Sequence, residues 1–168
     1  MKSIKALEGP TPGLADYLDC DGEQASWNRF KSHQSGRAYR ELFERLLSIQ
    51  HGLCGYCEID ITEQDRQVEH VIPRSDPRRG ALYALAHDNM IACCNGGTRD
   101  SGDQARWQIP VRKNRSCGEA KGGGNLDPDF VDPRNLPELP SLTQVGSDGK
   151  IVAKEAACLG AEMNAQKK

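Results

Sequence analysis

The sequence predicts an α+β domain stapled by a thiolate-bound metal, and three observations carry that prediction. Arg37–Gln50 repeats apolar residues at helical spacing. Gln67–Ile72 and Asn89–Cys94 are short apolar runs of strand character. Cys54 and Cys57 stand before these runs, Cys93 and Cys94 end the second of them, and Cys117 follows.

The lead-in, residues 1–52, opens irregularly through Gly9-Pro10-Thr11-Pro12-Gly13. Leu14–Leu18 is expected to form a short helix, and Trp27 and Phe30 to serve as apolar anchors. In Arg37–Gln50, Tyr39, Leu42, Phe43, Leu46, Leu47 and Ile49 make one apolar stripe. Arg37–Glu41, Arg40–Glu44 and Glu41–Arg45 fall at the i, i+4 spacing of helix ion pairs. His51-Gly52 stops the helix, with Gly52 suited to the left-handed cap. The helix delivers the chain directly to Cys54.

Residues 53–125 are the expected core unit. Glu58–Gln67 is polar and turn-like, and Gln67–Ile72 is a strand that Pro73 ends. Arg74–Gly80 is a loop, Ala81–Ala86 a helical turn, and Asn89–Cys94 a second strand-like run. Asn95–Ser116 is a long insertion with Trp107, and a loop of that length is usually functional or disordered rather than filler. Cys117–Lys121 opens a short helix stopped by Gly122-Gly123-Gly124. In residues 126–168 prolines impose an extended track. A β-hairpin follows, Leu142–Val145 with Lys150–Ala153, and then an Ala-rich, helix-permissive tail. The three stretches are expected to pack as one compact domain.

Of the 168 residues 37% are hydrophobic and 5% aromatic, with 17 glycines and 9 prolines, so the chain is loop-rich and poor in core. A metal is a physically sensible addition to such a chain. Seven cysteines cannot all pair internally. Met1–Gly13 has no apolar run, and no stretch is long and apolar enough to cross a bilayer. The expected setting is the reducing cytoplasm, with thiolates rather than disulfides and no membrane association. A net charge of −2 argues against a generic basic coat for nucleic acid. Ile61–Asn125 nevertheless carries ten Arg and Lys against eight Asp and Glu, a local balance of +2. That count fits either a phosphate-binding face or an ordinary solvated surface.

Cysteines separated by two residues can share one zinc through a tight turn. The same spacing occurs in thiol–disulfide oxidoreductases, but those place it after a buried strand in a βαβ frame, and here an amphipathic helix comes first. A zinc site needs a second pair. Adjacent cysteines do not comfortably bind one tetrahedral ion, so the second pair is one of Cys93 and Cys94 together with Cys117. Cys20 and Cys158 are expected to be small packed hydrophobes.

His70 is the candidate for chemistry. A lone strand histidine is more often packing, but His70 follows an acid, precedes Pro73, and lies between the two thiol pairs. A neutral imidazole can take a proton from water, and a hard cation on carboxylate oxygens can stabilise charge developing on a phosphate. In a regular strand Glu69 and His70 face opposite ways, so a kink or strand end near Pro73 is needed for both to converge.

These residues, in this order, resemble the HNH endonucleases. The stretches that carry the resemblance are Trp27, Leu53-Cys54-Gly55-Tyr56-Cys57-Glu58, Val68-Glu69-His70-Val71-Ile72-Pro73-Arg74-Ser75, Asn89-Met90-Ile91-Ala92-Cys93-Cys94-Asn95-Gly96-Gly97 and Ser116-Cys117-Gly118-Glu119-Ala120-Lys121-Gly122. More narrowly, they resemble the HNH nuclease subunit of Septu-type antiphage defence, also associated with retrons. The resemblance implies an α+β fold of the ββα-metal kind with N-terminal helices and a C-terminal hairpin. It implies that His70 is the general base, Glu69 a ligand of the catalytic cation, and Asn89 a brace for the histidine loop. Cys54, Cys57, Cys94 and Cys117 would hold a structural Zn²⁺, and Glu119 would complete a site for Mg²⁺ or Mn²⁺ where the family pattern has histidine. Arg74 and Lys121 would contact nucleic acid. An ABC/SMC-like ATPase would be the partner, DNA the first substrate to consider and RNA the second. The Ala-rich end is shorter than the family pattern.

The expected function is therefore phosphodiester hydrolysis in an antiphage complex. With few spare cations, the chain alone is expected to bind nucleic acid weakly, with segments 74–79 and 106–115 making the contact. The alternatives are a noncatalytic zinc-binding interaction module and, after it, a thiol–disulfide oxidoreductase.

Overall fold

Thr11 begins the first helix by capping it, its hydroxyl accepting from Leu14 N, and Pro12 takes the first-turn position where no amide is needed. The computed structural model describes residues 3–62, 66–96, 115–123, 130, 132–136, 143–145, 147 and 151–153. In order they form α1 (Pro12–Asp21), α2 (Trp27–Ser32), α3 (Arg37–Ile49), β1 (Arg66–His70), α4 (Gly80–Tyr83), β2 (Met90–Cys94), α5 (Cys117–Lys121), β3 (Thr143–Val145) and β4 (Ile151–Ala153). The helix expected at Leu14–Leu18 is thus extended at both ends. The turn expected at Ala81–Ala86 is shorter and starts one residue earlier.

α3 packs on α1, α2 and β2, and its stripe residues Leu42 and Leu46 are fully buried beside Leu14, Tyr17 and Phe30. Its polar face differs from expectation. Arg37 donates to Gln34 Oε1, and Glu41 Oε2 accepts from Gly13 N at 2.9 Å, tying α3 to α1. The helix ends through His51 N to Ser48 O and Gly52 N to Leu47 O. His51 as well as Gly52 takes a left-handed backbone, with φ of 56° and 78°. Between α2 and α3, Gln34, Ser35 and Gly36 are all left-handed. Asp16 holds that turn by accepting from Gln34 Nε2 and bonding His33 Nε2.

β1 and β2 pair antiparallel, Arg66 with Cys94 through His70 with Met90. All five residues of β2 are buried, because α3 packs against this strand and so does α5. A continuous apolar run is what a strand covered in this way requires. β3 and β4 form the expected hairpin, with Thr143 opposite Ala153. Among the described residues no helix is long and apolar enough to cross a membrane.

Gln50 extends the ladder from the end of α3. Its Oε1 accepts from Ala92 N at 2.7 Å, and its Nε2 donates to Ala92 O at 2.8 Å and to Leu53 O at 2.9 Å. The buried amide therefore does for β2 what a third strand would. Gln50→Leu is expected to leave Ala92 N–H unpaired in the core and to cost about 2 kcal/mol. In urea melts this reads as a lower midpoint at unchanged slope; an unmoved midpoint counts against the pairing.

Candidate metal centre and cleft

The sulfurs of Cys54, Cys57, Cys94 and Cys117 all lie within 4.8 Å of one another. Tetrahedral zinc with Zn–S bonds of about 2.3 Å would place its sulfurs roughly 3.8 Å apart. Cys54 and Cys117 are 3.9 Å apart, as are Cys57 and Cys94. The set can hold a tetrahedral metal ion such as zinc. Backbone folds it: Cys54 N donates to Ile59 O and Glu58 N to Cys54 O, closing the Cys-x-x-Cys turn, while Gly55 N donates to Ala92 O and seats the turn on β2. Thiolate charge is met by Cys94 N on Cys54 Sγ and Gly96 N on Cys94 Sγ, both at 3.4 Å. Sulfur–sulfur hydrogen bonds with Cys117 and Cys93 push the pKa of Cys54 down. Cys93 lies 3.8 Å from Cys54 but outside the mutually close set, since successive strand residues point apart. Cys20, expected to pack as a hydrophobe, is exposed on α1; Cys158 lies outside the described residues.

An open cleft of about 680 Å³ runs beside β1. α2 and α3 contribute Trp27, Lys31 and Tyr39 to it, and α5 contributes Glu119 and Lys121. Glu69 and His70 both line it. The strand keeps its alternation to the end. Gln67 and Glu69 meet α5 residues, while His70 meets Trp27, with ring centroids 4.5 Å apart and planes at 86°. The cleft therefore borders both faces of β1.

His70 is buried, and its Nε2 lies 3.0 Å from Ala84 O. A carbonyl oxygen only accepts, so Nε2 carries the hydrogen and the Nδ1 lone pair is left for other work. Burial pushes the pKa of His70 down from 6.5 to about 4, against the raising effect of the Ala84 bond. The imidazole is neutral at pH 7.

Asn89 holds the loop that positions this ring. Val71 N donates to Asn89 O, Ile72 N to its Oδ1 at 2.7 Å, and its Nδ2 donates to Ile72 O and Tyr83 O. The buried amide continues the β ladder past His70 and fixes Tyr83, the residue before Ala84.

Glu69 Oε1 is 2.8 Å from Lys121 Nζ, which also donates to His70 O at 2.9 Å. Lys121, expected at a phosphate, is thus committed inside the cleft. Glu69 rests directly on α5, since a methyl group at Gly118 would lie 2.6 Å from its Oε2. Burial raises the pKa of Glu69, and the Lys121 hydrogen bond opposes that shift. Glu119 accepts from Gln67 Nε2 at 3.4 Å and faces Arg115 Nη1 at 3.8 Å. Each of the two carboxylates already has a protein cation. Among the described residues, the only three or more His, Cys, Asp or Glu whose donor atoms converge are the four cysteines. The arrangement does not fit a divalent ion shared by Glu69 and Glu119.

Arg74 is exposed at the cleft rim. Of segment 106–115 only Arg115 is described, and it too lines the cleft. Sequence reasoning missed Lys31, which no motif marks, and the Ala84 carbonyl, which any residue at that position could supply.

The chain is similar to two proteins named as retron HNH endonucleases. It is 33% identical to "Retron Ec83 putative HNH endonuclease" of Escherichia coli, over 57% of this chain and 37% of that protein. It is 25% identical to "Retron Vc95 putative HNH endonuclease" of Vibrio cholerae serotype O1 biovar El Tor, over 82% of this chain and 59% of that protein. The chain thus spans less than two thirds of either relative's length. No family model matches it, and no solved structure does.

Proposed function

We propose that the chain hydrolyses phosphodiester bonds of nucleic acid with His70 as general base. The observation that carries this reading is the ring's state: neutral, held by Ala84 O, and set in a cleft with Lys31, Arg74 and Arg115 on its lining. Nδ1 would take the proton of an attacking water, and the three cations would face charge developing on the phosphate. Asn89 would act as a positioning residue through the loops at Ile72 and Tyr83.

Zn²⁺ on Cys54, Cys57, Cys94 and Cys117 would be structural, closing all four positions of the ion and leaving none for a substrate. The resemblance to HNH nucleases brings Mg²⁺ or Mn²⁺ to Glu69 and Glu119. Those carboxylates are paired with Lys121 and Arg115 here, so the hydrolysis proposed for this cleft rests on His70 and its three lining cations. The names of the relatives support a nucleic acid substrate and a retron setting. The narrower reading is an effector nuclease of Septu-type antiphage defence in the cytoplasm, acting on DNA before RNA, with an ABC/SMC-like ATPase as partner.

A noncatalytic zinc-binding module is the second reading, favoured by one observation: Lys121 fills the side of Glu69 where a cation would bind. Cleavage of plasmid, single-stranded DNA and RNA by wild type and His70→Ala, with and without the ATPase, separates the two. Activity that persists in His70→Ala overturns the nuclease role assigned to His70. Zinc content without cleavage under any condition supports the module.

A further inference from the structure

We propose that Lys121 is a positioning residue for His70, gripping the carbonyl of the His70–Val71 peptide from α5, with Glu69 as the counter-charge that keeps it there. The proposal rests on the reading of His70 as the general base. A peptide unit points its N–H and C=O in opposite directions. The N–H of this unit, on Val71, donates to Asn89 O on the β2 side. Its C=O, on His70, faces the other edge of the two-stranded sheet, where Lys121 Nζ meets it at 2.9 Å. The peptide that carries the ring is thus held from both sides, once by the ladder and once by α5. Lys121 and Glu69 side chains are only 11% and 15% exposed. A lysine buried so far needs a partner for its charge, and Glu69 Oε1 supplies one at 2.8 Å. Gly118 leaves that carboxylate its room on the same helix.

Two contacts aim the ring itself. The bond from Nε2 to Ala84 O fixes which nitrogen keeps the hydrogen, and the edge contact with Trp27 sets the ring plane. Both depend on the peptide beneath the ring. Held at its N–H alone, that peptide can rock about the single bond and carry the ring away from Ala84 O. A ring freed from the carbonyl can move its hydrogen to Nδ1, where no lone pair is then left to take a proton. Lys121 therefore acts on the chemistry through the backbone of His70, and a base must keep both its lone pair and its reach.

The test follows the ring by magnetic resonance of the zinc-loaded full chain carrying ¹⁵N-labelled histidine, and the cleavage rate separately. In wild type the His70 signals, identified by their loss in His70→Ala, should show one tautomer with the hydrogen on Nε2. Lys121→Met should mix the two tautomers and lower kcat by about 10²-fold, with KM little changed. Lys121→Arg, which can still donate to the carbonyl, should restore the single tautomer and part of kcat. A single tautomer that persists in Lys121→Met overturns the proposal. So does a raised KM at unchanged kcat, the mark of binding lost rather than of a misplaced base. Should Lys121→Met fail to fold because it strands a buried carboxylate, Lys121→Met combined with Glu69→Gln removes that charge and carries the same two readouts. The tautomer needs no substrate. A wild type that cleaves nothing overturns the reading of His70 as base, while the ring signal still upholds or overturns the grip of Lys121.

Discussion

Stripping the metal from the four-cysteine set is expected to unfold the domain rather than merely inactivate it. The set joins the turn at Cys54–Cys57, the end of β2 at Cys94 and the start of α5 at Cys117, three parts of the chain that lie far apart in sequence. Structural zinc contributes about 10–16 kcal/mol of apparent binding free energy in small zinc modules at pH 7. Whole domains are stable by only about 5–15 kcal/mol, so loss of the ion outweighs the remaining core. Chelation should collapse the circular dichroism spectrum and the cooperative melt, and Cys54→Ser should reproduce that loss. Cys93→Ser, outside the set, should retain one equivalent of zinc by mass spectrometry. A native melt in zinc-free protein would show that the cluster is not what holds the fold.

His70→Ala is expected to lower cleavage by about 10²–10⁴-fold, the usual contribution of a positioned acid–base group. The pH dependence distinguishes a base from a packing residue. Because burial puts the folded pKa near 4, the rate should be flat from pH 8 to about 6 and fall only as His70 protonates near 4. An ordinary histidine would start to fall near 6.5. The same shift acts on stability with a definite sign. The folded state binds the proton less tightly than the unfolded state does, so the full contribution is present above 6.5. It is lost progressively as pH falls from 6.5 to about 4, amounting to about 3 kcal/mol. His70→Ala should flatten that part of the stability curve. A wild-type rate that breaks near 6.5 would show that the catalytic base is not the buried ring.

Elements with a strong period were legible in the sequence. The stripe from Tyr39 to Ile49 marked α3, and the runs around Val68 and Ile91 marked β1 and β2. Of the thiol set, Cys54, Cys57 and Cys117 were legible from spacing, whereas the choice of Cys94 over its neighbour Cys93 came from the family resemblance. What stayed hidden depends on side chains meeting across long stretches of sequence. Gln50 reads as the polar end of a helix, yet it pairs with Ala92. Lys121 reads as a surface cation because nothing nearby in sequence shows that Gly118 opens a seat for Glu69 beside it. The left-handed residues Gln34 and Ser35 carry no glycine to announce them, since Asp16 on another helix holds that turn.

Gly96 and Ser116 meet where Ser116 N donates to Gly96 O at 3.0 Å. Gly96 takes φ of 56°, and a methyl group there would strike Ser116 O. The bond fastens the backbone just after Cys94 to the backbone just before Cys117, within two positions of each of those cysteines. Two of the four thiols are thus tied together through the main chain as well as through any ion they share, so this half of the cage keeps its shape when the metal is exchanged.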